Sequence, residues 1–190
     1  MSTLRYLSAR HLAYWLAAAS LWAGFALVAP GCAPLDNAAP RCGDSQRLGL
    51  VAQSVPTASY VPCVVSLPVG WSSRVAVVRN GETQFSLLSD RAEGHAVQVR
   101  LTRWCSARKA VPVAARVPGV RSYLHLASID PRYAGTAYDE FSGGCVTYSF
   151  DFERGPHIAL VQEFQAAVSL VPRHELALRL RDQLGLELGP

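Results

Sequence analysis

An uncharged apolar run, LAYWLAAASLWAGFALVAP at residues 12–30, constrains this 190-residue chain more than any other feature. Its length approaches the roughly 20 apolar residues that cross a bilayer as a helix. Two arginines precede the run, and the next charged residue is Asp36. Because basic flanks stay on the cytoplasmic side, we expect residues 1–11 in the cytoplasm, 12–31 as a transmembrane or signal-anchor segment, and the rest outside the cell membrane.

The end of this run leaves three outcomes open. A retained helix would make the chain a single-pass membrane protein. The sequence Ala29-Pro30-Gly31-Cys32 resembles a lipobox, in which small residues precede a cysteine that becomes lipidated, so Cys32 is a candidate lipidation site. Cleavage after a small residue would instead release a soluble domain. All three outcomes export residues 36–190.

The cysteine count agrees with export. The chain has five cysteines: Cys32, Cys42, Cys63, Cys105 and Cys145. Disulfides persist in oxidising compartments, and with Cys32 set aside the other four allow three connectivities. We predict two disulfides, with Cys63 bonded to Cys105 and Cys42 to Cys145. No Cys-x-x-Cys spacing occurs, and no histidine lies at ligand spacing from a cysteine, so the sequence predicts no metal site.

Composition and motifs exclude several classes of function. Seventeen of the eighteen basic residues are Arg, yet they form no cluster on one segment, which argues against nucleic-acid binding. The chain contains no Gly-x-Ser-x-Gly elbow, no phosphate-cradling glycine loop and no His-Glu-x-x-His motif. We therefore assign no catalytic residue and predict no cofactor.

The exported part divides into a tether at residues 32–45, rich in Pro and small residues, and a domain at 46–188. Asn80-Gly81 between two β-rich runs predicts a hairpin, and the alternation at 96–102 adds a third antiparallel strand. Further strands are predicted at 60–67, 120–127 and 145–152. In the last of these, four residues share one apolar face: Val146, Tyr148, Phe150 and Phe152.

The C-terminal region predicts two helices, after a short one at 47–54. One stripe at helical spacing runs from Leu160 through Phe164 to Val171, and Pro172 ends that helix and begins the next. The fold class is therefore α+β: an antiparallel meander sheet with two C-terminal helices packed on one face, preceded by the transmembrane or signal-anchor helix.

Residues 130–145, DPRYAGTAYDEFSGGC, are predicted to form a loop between two strands and are the candidate binding surface. The loop is rich in residues typical of recognition sites. These are Asp130, Arg132, Tyr133, Tyr138, Asp139 and Glu140. The alternative is a structural loop in which the tyrosine rings pack and the carboxylates pair with arginines.

Three stretches carry a resemblance: GLVAQSVPTASYVPC, IDPRYAGTAY and FSGGCVTYSF. Together they resemble a family of uncharacterised single-pass extracytoplasmic proteins of high-GC Gram-positive bacteria (actinobacteria), over roughly residues 42–185. The resemblance implies an extracytoplasmic domain with four structural cysteines, and it implies no activity and no functional residue.

These observations favour a membrane-tethered extracytoplasmic domain, a non-enzymatic binding or accessory protein of the cell envelope. Its expected partners are the membrane, through residues 12–31, and an envelope protein or membrane complex. The alternative is an envelope hydrolase that uses carboxylates of the 130–140 loop, which would require a cleft that raises their pKa values.

Overall fold

The computed structural model describes residues 39–92, 96–153 and 155–189. The predicted cytoplasmic and membrane segments, Cys32 and the first half of the tether lie outside these residues. The described residues form three helices, α1 (Ser45–Ser54), α2 (His157–Ala167) and α3 (Arg173–Leu184). They also form nine strands: β1 (Tyr60–Val64), β2 (Trp71–Arg79), β3 (Glu82–Ser89), β4 (Val97–Thr102), β5 (Val111–Val113), β6 (Arg121–Ser128), β7 (Tyr133–Phe141), β8 (Gly144–Phe152) and β9 (Val168–Pro172).

Seven strands form one antiparallel sheet in the order β2-β3-β4-β8-β7-β6-β5. The predicted meander is its first part: β2 and β3 are joined at Asn80-Gly81, where Gly81 has φ of 85°, and β4 follows. Strands β1 and β9 pair separately as a two-stranded antiparallel sheet. A mostly antiparallel sheet followed by two C-terminal helices confirms the α+β class.

One face of the large sheet, the covered face, carries the core. A cross-strand row on this face runs from Phe85 through Val99 to Tyr148, and all three side chains are buried. Helix α2 lies over it: Phe164 is 3% exposed, and its ring centroid lies 5.8 Å from that of Tyr148. The predicted packing of the first C-terminal helix on this face is confirmed.

The second C-terminal helix packs elsewhere. Helix α3 contacts α1 and β9, and its buried residues are Leu176 and Leu180. A side chain at Gly49 of α1 would lie 3.3 Å from a methyl carbon of Leu180, which shows how closely the two helices approach. The prediction that both C-terminal helices lie on the large sheet is therefore wrong for α3.

Two further predictions about elements are wrong. The helical stripe ends at Ala167, because the next residues form β9 and pair with β1. Residues 130–145 are not a loop: β7 occupies most of that range and lies between β6 and β8. The segment at 106–119 contains the short edge strand β5.

Both disulfides use the predicted four cysteines, but the predicted pairing is wrong. Cys42 bonds Cys63, with Cα atoms 4.9 Å apart, and Cys105 bonds Cys145, with Cα atoms 5.8 Å apart. Cys63 lies on β1, outside the large sheet, and the Cys42 backbone N–H donates to the Val64 carbonyl beside it at 2.9 Å. Cys105 follows β4, whose last residue pairs with Cys145. Strand neighbours therefore decide the connectivity.

Within the described ranges, no helix is both long and apolar enough to cross a bilayer.

Candidate functional site

The six predicted site residues do not converge. Successive residues of β7 face opposite sides of the sheet, so Tyr133 and Asp139 lie on the covered face while Tyr138 and Glu140 lie on the opposite face. Tyr133 and Asp139 are also six residues apart along the strand, or roughly 20 Å. Arg132 and Asp130 precede the strand, and Asp130 is exposed.

Three of these residues have structural partners. Arg132 pairs with Asp151 of β8, and the pKa of that carboxyl is lowered because it accepts hydrogen bonds from the guanidinium. Tyr133 stacks on Phe150 with ring centroids 5.6 Å apart. A guanidinium nitrogen of Arg121 lies 3.4 Å from a Glu140 carboxylate oxygen. These residues therefore fit the alternative to a binding surface, in which tyrosine rings pack and carboxylates pair with arginines.

Asp139 lies in a different setting, at a cavity of about 340 Å³ between the covered face and α2. We call this the Tyr148 cavity. Strands β6, β7 and β8 form its floor, α2 forms one wall, and the segment after β5 forms another. Its walls include Val113, Arg116, Ser122, Leu124, Ala137, Asp139, Tyr148 and Phe164.

Tyr148 is the unusual member of this cavity. The residue is 2% exposed and its hydroxyl is buried, with the carboxylate of Asp139 as the acceptor beside it, although the two form no hydrogen bond of good geometry. Burial, and then the negative charge of Asp139, raise the pKa of Tyr148 well above its usual value. The hydroxyl therefore stays protonated beside that carboxylate.

Asp139 and Ser122 face each other across β7 and β6. They are paired in register, and the Ser122 hydroxyl donates to Oδ1 of Asp139 at 2.6 Å. This bond holds the carboxylate on the cavity floor, beside the Tyr148 hydroxyl. A carboxylate has about four lone-pair sites, so it can also accept from a ligand.

Arg116 brings a positive charge to the same place. It lies in the segment between β5 and β6, and its Nη1 donates to the backbone carbonyl of Gln165 on α2. A second cavity of about 230 Å³ adjoins the first, and both are lined by Arg116, Asp139 and Gln165. The two cavities therefore meet at the charged groups.

The sequence predicted Asp139 as a site residue and Tyr148 as a buried residue, but it did not predict that the two side chains lie close together. Their proximity depends on β7 pairing with β8, and β7 was predicted as a loop. No group of three or more metal-ligating side chains occurs in the part of the chain that the structure describes.

No protein-family model matches the sequence, and no curated protein matches it. A solved structure from Bacteroides thetaiotaomicron is similar with a TM-score of 0.32 and 9% identity, over 69% of this chain and 60% of that one. The matched region thus spans less than two thirds of that protein. Likeness at this level supports no inference about function.

Proposed function

We propose that this chain is a membrane-tethered extracytoplasmic binding protein of the cell envelope, non-enzymatic, with its ligand site in the Tyr148 cavity. The observation that carries the proposal is the cavity itself, of about 340 Å³, whose apolar walls bring the Asp139 carboxylate and the Arg116 guanidinium to one place. Residues 12–31 hold the chain at the membrane as a retained helix, with Cys32 as the lipidation site in the lipoprotein alternative.

The two disulfides support the location. Structural disulfides persist outside the cytoplasm and are rare within it. The four bonded cysteines lie at 42–145, beyond the apolar run, so they would all be exported together. Cys105–Cys145 also ties the end of β4 to the start of β8. This bond fixes one side of the sheet that floors the cavity.

The site chemistry supports binding. The floor is a paired sheet, and the wall at Phe164 belongs to a buried helix face, so the cavity is formed before a ligand arrives. Preformed cavities with apolar walls and a few convergent polar groups are typical of small-molecule sites. Asp139 and Arg116 supply those polar groups here.

The alternative, an envelope hydrolase using carboxylates of the 130–140 segment, has less support. General acid–base work by two carboxylates requires both to reach one substrate. Asp139 and Glu140 are adjacent on β7 and so face opposite sides of the sheet. Asp130 lies before the strand. We therefore place the hydrolase second.

Protease added to intact cells stripped of their wall tests the location. We expect digestion of residues 36–190, while a cytoplasmic protein in the same cells survives. Lysed cells provide the control in which both are digested. Survival of the domain in intact cells would contradict the proposed topology and remove the reason for expecting disulfides.

A further inference from the structure

The segment between β4 and β5 lies on the face of the large sheet opposite the core. The two strands that it joins are separated in the sheet by β8, β7 and β6. Near its start, the Cys105–Cys145 disulfide ties it to β8. Cys145 comes directly before Val146 of the covered face, so it lies on the opposite face, because successive strand residues alternate. The disulfide therefore holds the segment against that face.

A cavity of about 290 Å³, which we call the Arg108 cavity, lies between this segment and the sheet. Its polar side chains come from the segment on one side and from β6 and β7 on the other: Ser106, Arg108, Lys109, His125 and Tyr138. His125 pairs in register with Thr136, two residues before Tyr138, so the two rings are diagonal neighbours on one face. The cavity therefore has polar groups on two sides.

Two adjacent cations occupy the centre of a turn in this segment. The Ala110 backbone N–H donates to the Ala107 carbonyl at 2.9 Å, which puts Arg108 and Lys109 at the two central positions. Both side chains are exposed, so a ligand in solution can reach them. None of the described carboxylates lines the cavity. The local charge of the cavity is therefore positive.

The polar side chains of the Arg108 cavity are also unpaired. None of the five makes a hydrogen bond or ion pair within residues 39–92, 96–153 and 155–189. Other arginines on the same face are paired, as Arg100 is with Glu82 at 2.8 Å and Arg121 with Glu140 at 3.4 Å. Arginine, lysine and the two hydroxyls all donate, and so does one imidazole nitrogen in either neutral tautomer. The cavity is thus a set of free donors.

A phosphate monoester matches this set in charge and in shape. It carries a charge of about −1.5 to −2 at pH 7 and three strong acceptor oxygens. Its tetrahedral oxygens point in different directions, so they can accept from the turn and from the sheet at once. The guanidinium fork of arginine fits phosphate oxygens, and lysine binds phosphate as a point charge.

We propose that the Arg108 cavity binds the phosphoryl group of a phosphate monoester. Arg108 and Lys109 neutralise its two negative charges. Ser106, His125 and Tyr138 donate to its oxygens. This site and the Tyr148 cavity lie on opposite faces of the sheet, and the proposal does not depend on the ligand of that cavity.

Calorimetric titration of the full chain, purified in detergent with its disulfides intact, tests the ligand class. The probes are inorganic phosphate, glycerol 3-phosphate, succinate and glycerophosphoglycerol, at about pH 8 and about 0.15 M salt, where the Debye length is about 8 Å. Inorganic phosphate and glycerol 3-phosphate should both bind. Succinate has the same charge on planar carboxylates, and glycerophosphoglycerol is a diester with one charge. Each should bind about tenfold more weakly than glycerol 3-phosphate.

Variants assign the binding to this cavity. Arg108→Gln and Lys109→Gln should each weaken glycerol 3-phosphate binding about tenfold, and Tyr138→Phe about threefold. Arg103→Gln is the matched control, because it removes an exposed cation of the same segment that does not line the cavity. Its affinity should match that of the unaltered chain. Thermal melts confirm that each variant is folded.

Four results would overturn the proposal. Absence of binding by both phosphate probes would mean that the cavity is no anion site. Equal binding of succinate would mean that it responds to charge alone. Tighter binding of glycerophosphoglycerol would assign it to a phosphodiester, such as a lipid headgroup. An equal loss in Arg103→Gln would mean that the effect of charge is general. None of these results bears on the Tyr148 cavity.

Discussion

Phe164 is the residue through which α2 holds the sheet. Its ring contacts Tyr148 and Phe150 on the covered face, with centroids 5.8 Å and 6.5 Å away. Truncating such a buried ring removes its packing and leaves a void beside the sheet. We expect Phe164→Ala to lower the free energy of unfolding by about 3–5 kcal/mol, measured by urea denaturation with the disulfides intact.

Ile158 provides the matched control on the same helix, because it is 76% exposed. Ile158→Ala should change the free energy of unfolding by no more than about 0.5 kcal/mol. If Phe164→Ala had an equally small effect, the Phe164 side chain would not be part of the core.

At the scale of elements, Glu163 ties α2 to the far strand of the sheet. Trp71 of β2 donates its indole N–H to the Glu163 carboxylate at 2.6 Å, and Arg91 also donates to it. The Arg91 hydrogen bond, and then that of Trp71, lower the pKa of Glu163. The folded protein therefore holds this carboxylate ionised more strongly than the unfolded chain does.

A carboxyl whose pKa is lowered by folding adds stability above its unfolded pKa of about 4.3, and this stability is lost as the pH falls through the folded pKa. We expect the urea midpoint to fall as the pH is lowered from about 6 to about 3, and Glu163→Gln to reduce that fall. Glu187→Gln, at an exposed carboxylate near the C-terminus, should leave the fall unchanged. An equal pH dependence in Glu163→Gln would rule out this contribution.

Local sequence signals predicted the elements that depend on local chemistry. The hairpin follows from Asn80-Gly81, and β8 follows from its alternation, since its buried residues include Val146, Tyr148 and Phe152. Strand β7 has no such signal, because glycine, alanine and two carboxylates reduce its β propensity. Its conformation is set by pairing with neighbours on both sides.

Gly135 shows why β7 contains small residues. A side chain there would lie 2.6 Å from the His125 carbonyl oxygen and 2.7 Å from the Phe150 ring. Glycine at this position is typical of a loop, but here it is required because the Phe150 ring of the next strand fills the space.

The second error is in β9. Val171 fits the helical stripe of Phe164, yet it lies opposite Val61 of β1. Both errors arise because long-range pairing outweighs local pattern.

At the scale of the whole molecule, Cys105–Cys145 closes the longer of the two disulfide loops, with a sequence separation of 40 against 21 for Cys42–Cys63. In the chain-entropy model a loop of that size adds about 4 kcal/mol by restricting the unfolded chain. We expect the double variant Cys105→Ala, Cys145→Ala to lose about this free energy of unfolding.

The matched double variant Cys42→Ala, Cys63→Ala removes the disulfide that closes the shorter loop. Its free energy of unfolding should fall by about 3 kcal/mol.

Peptide mapping without reduction should recover the two bonds as Cys42–Cys63 and Cys105–Cys145. Recovery of Cys63 bonded to Cys105 would contradict the arrangement of strands at both sites.

The candidate site could be predicted only in part, because its members come from four segments. Asp139 was among the predicted residues, and the alternation of β8 placed Tyr148 in the core. Ser122 and Arg116 gave no signal of their own, since a lone serine in a strand and an arginine near prolines are ordinary. They meet Asp139 only when β6 pairs with β7 and the preceding segment reaches α2.

The last prediction concerns how the chain is held at the membrane, and it rests on residues 12–30 and Cys32. Nineteen uncharged residues are long enough for a retained helix, so the full chain should sediment with membranes, and Cys32→Ser should remain there. Ala33→Ser, one residue further on, is the matched control. Labelling of the unaltered chain by a palmitate analogue, lost in Cys32→Ser and sensitive to globomycin, would show a lipoprotein. Recovery of the unaltered domain in the soluble fraction would show that the segment is cleaved.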